Sequence, residues 1–224
     1  MKYKRLAIRL TAKRVNDLRL TKLARVFSRL FDPTFLIPGM LAVAVIWSVM
    51  NGLRWRFILI LVLLDGLVPF LYFVHLLRTK EISDWDTTKR EQRLTLYWFV
   101  VVVHGVGVLL ALVLGKLILA KLLFAFWLMA LAFSVITNFW KISLHTGVLS
   151  AAIAFLAFAF GTKWLLAVPI LILVAWARIM MKKHTLAQAL AGMFLAPAIL
   201  LLALYALGVS GSQARSPSQT HLLF

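Results

Sequence analysis

Two histidines of this 224-residue chain stand where apolar runs end among basic and hydroxylated side chains. His184 lies six residues after Arg178 and four before Gln188, and His145 lies two after Ser143 and four after Lys141. Two imidazoles, a guanidinium, an ammonium and a hydroxyl, in a chain with no cysteine, match what phosphoryl transfer needs: a nucleophile, a proton donor for the leaving oxygen, and cations for the phosphoryl oxygens. The same groups could instead cap and anchor helix ends. Of the other histidines, His104 sits mid-run beside Gly105 and reads as a helix contact, His75 ends a run, and His221 falls in the tail.

The elements that must position these groups are membrane helices. The chain is 63% hydrophobic, well above the roughly 45–50% of a soluble domain. Apolar runs at 34–50, 57–77, 94–114, 117–137, 146–161, 164–181 and 185–207 are mostly long enough to cross a bilayer, and backbone satisfaction in lipid makes them helices. Because 34–50 contains Pro38 and 146–161 is short, six or seven crossings are expected. The fold class is therefore all-α, a polytopic bundle over 34–207. It is preceded by a basic amphipathic surface arm over 1–33 with ten Lys/Arg, and followed by a disordered polar tail over 208–224. The net charge of +18 does not point to nucleic acid, since the bases lie in the arm and at run ends, where they face anionic headgroups.

With seven crossings, the polar seams at 78–93, 138–145 and 178–184 fall on one side of the membrane. Nineteen of the 25 bases lie on that side, including the arm, so the positive-inside rule puts it in the cytoplasm of a cell-membrane protein.

Arg178-x5-His184-x3-Gln188 resembles the R-x5-H-x3-D signature of the type 2 phosphatidic acid phosphatase family, and Ile142-Ser143-Leu144-His145 looks like a degenerate form of its P-S-G-H motif. The resemblance covers roughly 78–195. It includes small residues after each motif: Gly147, Ser150, Ala151 and Ala152, then Ala189, Ala191 and Gly192. It implies a site at the membrane surface that uses neither metal nor cofactor. His184 would attack phosphorus to give a phosphohistidine. His145 would protonate the departing alcohol and then activate water, while Arg178 and Ser143 hold the phosphoryl oxygens. The family's K-x6-R-P motif is absent, since Thr87 stands seven residues after Lys80 and Leu94 follows Arg93. Lys89, Arg90, Arg93 and Lys141 are phosphate-binding candidates by location alone. Gln188 replaces the family's carboxylate; it can accept the His184 Nδ1 proton but cannot stabilise an imidazolium.

The acidic residues offer a rescue and a rival. Four of the seven, Glu81, Asp84, Asp86 and Glu91, share one seam. Asp84 or Asp86 could supply the missing carboxylate to one of the imidazoles. Alternatively, the cluster could hold Mg²⁺ and a diphosphate as in a membrane prenyltransferase, although the D-x-x-D spacing of that family is absent. Asp65, alone in the second run, is expected to be neutral or paired within the bundle. The expected function is hydrolysis of a phosphomonoester or diphosphate on a membrane lipid. A non-catalytic lipid-phosphate binder and the Mg²⁺-dependent transferase are the alternatives. The oligomeric state is left open.

Overall fold

The computed structural model describes residues 18–49 and 54–211. Residues 1–17, 50–53 and everything from 212 onward, His221 included, lie outside the described residues, so the expected arm and tail are described only in part. Helix α1 spans 18–30, followed by α2 (Pro33–Ser48), α3 (Arg54–Leu61), a wide-turn π segment (Val62–Leu67), α4 (Val68–Arg78), α5 (Glu91–Val113), α6 (Leu117–Phe139), α7 (Leu144–Phe160), a 3₁₀ turn (Thr162–Ala167), α8 (Val168–Met180) and α9 (Leu186–Ala206). No strand occurs among the described residues. Among the described residues, six helical stretches are long and apolar enough to cross a membrane, and the 17-residue α7 is a shorter apolar helix beside them. The chain is an all-α polytopic membrane bundle. Its outer surface carries exposed Leu109, Val113, Leu166 and Leu202, and its core is built on buried Leu119, Leu122, Leu123, Phe155, Leu200 and Leu204.

Local chemistry accounts for the breaks that matter. Pro69 has no N–H to give the Asp65 carbonyl and its ring crowds that turn, so the helix opens into the π segment just before it. α8 stops where Lys182 turns left-handed, at φ 55°, and the N–H groups of Lys183 and His184 fold back onto the Arg178 carbonyl at 3.0 and 3.3 Å. That turn carries His184 back toward the guanidinium six residues before it.

α7 and α9 touch backbone to backbone. A Cβ on Gly192 would overlap the Ser143 carbonyl and the Thr146 hydroxyl, and one on Gly147 would overlap the Phe133 ring. Small residues at these points let the first turns of both helices meet, as in close-packed membrane helix pairs. Thr146 Oγ1 donates to the Ala189 carbonyl at 2.9 Å, and Ser143 N–H donates to the Gln188 carbonyl at 3.2 Å. Beyond α9 the chain stays packed for a few residues: Val209 is buried, and Gly211 lies against the Phe158 carbonyl.

Helix α1 turns a narrow face of Thr21, Ala24 and Ser28 inward, while Leu18, Leu20, Leu23, Val26 and Leu30 are exposed. Asp32 ends the connection to α2 as its N-cap, accepting from Thr34 N–H at 3.0 Å and Thr34 Oγ1 at 2.7 Å.

Candidate functional site

The three polar seams meet at one end of the bundle. Arg178 Nη1 donates to Asp86 Oδ1 at 2.8 Å, Lys141 Nζ donates to the Lys183 carbonyl at 2.8 Å, and Arg90 Nη1 donates to the Asn138 carbonyl at 2.6 Å. These contacts join the 78–93 loop, the α6–α7 turn and the α8–α9 turn.

His184 is buried, with Nδ1 3.3 Å from Gln188 Oε1. The amide oxygen only accepts, so Nδ1 carries the hydrogen and the lone pair resides on Nε2. The same oxygen accepts from Thr185 N–H at 3.1 Å, while Thr185 Oγ1 accepts from Gln188 N–H at 3.3 Å, closing a capping box at the start of α9. Burial, followed by the charges of Arg93, Arg178 and Lys141, pushes the His184 imidazole down to about 2, so it is neutral at physiological pH. Its Nε2 is buried without a hydrogen-bond partner.

Arg178 is fully buried on the last turn of α8. Nη1 is engaged by Asp86 and by Ser28 Oγ, the latter at 2.9 Å, and stands 3.5 Å from His145 Nε2. Its Nε and Nη2 have no partner, and neither does the buried hydroxyl of Ser143, the N-cap of α7. Unmade hydrogen bonds at buried polar groups are costly and rare. Here four such atoms belong to the residues that the two motifs single out: Arg178 Nε and Nη2, Ser143 Oγ and His184 Nε2.

His145, in the first turn of α7, is buried, and its Nε2 lies 3.7 Å from Asp32 Oδ2. The carboxylate that reaches an imidazole of this cluster is therefore Asp32, which by sequence belongs to the surface arm. Asp84 and Asp86 were the expected donors of that carboxylate, and no hydrogen bond joins either to His145 or His184. They are occupied elsewhere. Asp84 Oδ1 accepts from Asp86 N–H, Thr88 N–H and Thr88 Oγ1, which folds the loop upon itself. Asp86 faces Arg178 and, at 3.3 Å, Lys183. Burial opposes its charge, but Arg178 and Lys183 outweigh this and hold its carboxyl at about 2. Among the described residues no group of three or more His, Asp or Glu gathers as a metal-ligand set.

The phosphate-binding candidates divide. Lys141 stays within the cluster, and burial with the charges of Arg93, Arg178 and Lys183 pushes its ammonium down to about 8. Arg93 is buried, but it is bound to carbonyls, donating from Nε to Thr87 at 2.7 Å, from Nη2 to Asp86 at 3.3 Å and from Nη1 to Ile142 at 3.4 Å. It tethers the loop to the α6–α7 turn and brings its charge to the site. Thr87 meets it from a left-handed backbone, φ 44°, a strained state for a β-branched residue. Arg90 is engaged by Asn138 and Glu91, and Lys89 is exposed. Location alone did not suffice for those two, because side chains from the same seam point to different faces.

Two cavities open on the cluster. One of about 210 Å³ runs from Asp32, Arg93 and His145 into the bundle, between apolar side chains such as Leu41, Phe73 and Phe133, as far as Asp65 and His104. The other, about 400 Å³, lies under α1 between Arg25, Arg29, Asp86 and Lys183. The arrangement thus offers a neutral imidazole with a free lone pair, a second imidazole beside a carboxylate, unpaired donors for an anion, and an apolar space leading away.

Sequence reasoning missed Asp32, Ser28 and the Thr185 cap. Asp32-Pro33-Thr34 and Thr185-x-x-Gln188 were legible as caps, but nothing local linked the first to His145. No protein-family model matches this chain, and no curated protein or solved structure matches it.

Proposed function

We propose that this chain is a membrane-embedded lipid phosphatase. It hydrolyses a phosphomonoester or diphosphate on a lipid, holding the apolar chain within the bundle and the headgroup at the polar cluster. The observation that carries the reading is the set of four buried, unpaired polar atoms, Arg178 Nε and Nη2, Ser143 Oγ and His184 Nε2, in the polar cluster whose Arg93 and His145 line an apolar cavity. A phosphoryl group satisfies the donors among them and presents phosphorus to the lone pair.

In this reading His184 Nε2 attacks phosphorus and the P–O bond to the lipid breaks. Burial pushes His145 down to about 4, so it enters neutral, takes the proton carried in by the phosphate monoanion and gives it to the leaving oxygen. Gln188 fixes the tautomer through Nδ1. Water then attacks the phosphohistidine while His145 takes its proton, releasing phosphate and restoring His184. Arg178, Ser143 and the nearby Lys141 stabilise the equatorial oxygens. The resemblance to type 2 phosphatidic acid phosphatases supports this assignment of roles. The basic seams and arm support a cytoplasmic position for this end of the bundle in the cell membrane.

Gln188 in place of a carboxylate favours one second reading, a relative that binds lipid phosphate without turning it over. Phosphate release from a lipid monophosphate in detergent micelles, with and without a chelator, tests the proposal. Release that resists chelation and is lost in His184→Ala is the expected result. Binding without release identifies the second reading, and release abolished by chelation refutes the metal-independent mechanism.

A further inference from the structure

The deep end of the apolar cavity holds two polar side chains that the phosphate chemistry does not use. His104 Nδ1 lies 2.7 Å from Asp65 Oδ1, and His104 Nε2 lies 3.0 Å from the Leu123 carbonyl oxygen. Both residues are buried, and both line the cavity.

The hydrogen-bond bookkeeping of this pair is closed except at one atom. A carbonyl only accepts, so His104 Nε2 carries a hydrogen. Nδ1 then either donates to a carboxylate as part of an imidazolium or accepts from a carboxylic acid protonated on Oδ1. Each arrangement leaves the pair neutral as a whole, which is how ionisable groups persist inside an apolar bundle. Each also leaves Asp65 Oδ2 as an acceptor, and that atom is buried with no partner. The backbone is shaped to present it. The π segment carries Asp65, a feature that accompanies functional positions in helices. Gly107 faces the oxygen from α5, where a Cβ would stand 3.4 Å from Oδ2.

Arg93, at the polar cluster, and His104 are both on α5, eleven residues apart. At 1.5 Å per residue this places the deep acceptor about 16 Å below the cluster, near the middle of a bilayer about 30 Å thick. A lipid chain reaching from the cluster along this cavity passes the Asp65 side chain at that depth.

We infer that Asp65 Oδ2 accepts a hydrogen bond from a hydroxyl on the bound chain, so that the preferred ligand is a lipid phosphate hydroxylated about 16 Å from its phosphorus. The headgroup half of this statement rests on the proposed function, and the hydroxyl half rests on the cavity alone. An unsubstituted chain leaves the oxygen unpaired, whereas a hydroxyl satisfies it, and sites built to bind a hydroxyl discriminate against ligands that lack one.

Two pairs of probes test it on the full chain in detergent micelles: a long-chain alkyl monophosphate with and without a hydroxyl at that depth, and the matching diol and alcohol without phosphate. Equilibrium binding is expected to favour the hydroxylated member of each pair by about tenfold. The preference is expected to vanish in Asp65→Leu. It should also vanish in the double variant Asp65→Leu/His104→Leu, which removes the pair together and so avoids stranding one partner in the core. Equal affinities within both pairs, no binding by either pair, or a preference that survives the double variant would overturn the inference. A preference of the expected size without phosphate release from either monophosphate supports the hydroxyl site and refutes the phosphatase reading.

Discussion

The Asp32 carboxylate, which caps α2, stands 3.7 Å from Nε2 of His145 in the first turn of α7. When His145 takes a proton, a charge forms on that ring beside a buried Arg178, and Asp32 is the carboxylate placed to offset it. Asp32→Asn tests the role cleanly, because Asn keeps the helix cap while losing the charge. Turnover is expected to fall by about 10- to 100-fold, below the full contribution of a general acid, with thermal stability nearly unchanged. A wild-type rate of phosphate release in Asp32→Asn would remove Asp32 from the mechanism.

Gln188 offers the complementary experiment. Its amide oxygen accepts from both His184 Nδ1–H and Thr185 N–H, and a glutamate at the same position retains the capping box. Gln188→Glu adds the charge that stabilises an imidazolium. In the serine proteases, the reverse exchange of a supporting Asp for Asn costs about 10⁴ in turnover. A rise in turnover of at least about tenfold is expected in Gln188→Glu, a modest share of that effect. Unchanged turnover would mean that His184 never develops positive charge at the limiting step.

Much of this arrangement was legible in the sequence. The apolar runs gave the helices because lipid allows the backbone few alternatives, and alternation of long runs with polar seams brought His145, Arg178 and His184 to one end. Spacing placed Gln188 one turn from His184, where a helix must put it. What could not be read was contact between elements distant in sequence. Asp32 reaches His145 only because α1 and α2 fold across the cluster, and Asp86 reaches Arg178 instead of an imidazole because Asp84 shapes the loop around it. Asp65 and His104 were separately visible as polar groups in apolar runs. Their pairing depends on the π segment, whose extra residue rotates Asp65 toward α5.

Under the proposed function, Lys141 is expected to set an alkaline limit on substrate binding. Its ammonium, pushed down to about 8, loses its charge as pH rises through that value, and the cluster then has one cation fewer to attract a phosphate. KM is expected to increase about tenfold between pH 7 and 9, with a much smaller change in kcat. Lys141→Met is expected to show the high KM throughout and no such inflection. An inflection that persists in Lys141→Met would assign it to another group.

Asp86 contributes to acid stability, beside Asp84, whose carboxyl is also held low, against its burial, by Thr88 and Lys183. The folded Asp86 carboxyl sits at about 2 against an ordinary 3.8, so the unfolded chain binds the proton more readily. The stabilisation is complete above about pH 4 and is lost as pH falls toward 2, amounting to about 2 kcal/mol. Asp86→Asn is expected to lower the unfolding temperature in detergent at pH 7, because it leaves the Arg178 guanidinium buried with its carboxylate removed. It should also reduce the stability lost between pH 4 and 2, leaving the share that belongs to Asp84. An acid limb of undiminished depth in Asp86→Asn would place the titrating group elsewhere.

Gly192 fixes the distance between the two motif helices. A methyl group there overlaps the Ser143 carbonyl and the Thr146 hydroxyl, both on the turn that carries His145, and neither can retreat without breaking the bonds to Gln188 and Ala189. Gly192→Ala must therefore push α9 away from α7, moving His184 from His145 without altering the chemistry of any polar side chain of the cluster. A destabilisation of about 1–3 kcal/mol is expected from overpacking, with a fall in kcat larger than the change in KM, since positioning errors near 1 Å can cost about 10²-fold in rate. Ala191→Gly, one position earlier on the same helix, controls for general loss of helix stability. If Gly192→Ala and Ala191→Gly reduce kcat equally, the close approach of α7 and α9 does not set the geometry of the two imidazoles.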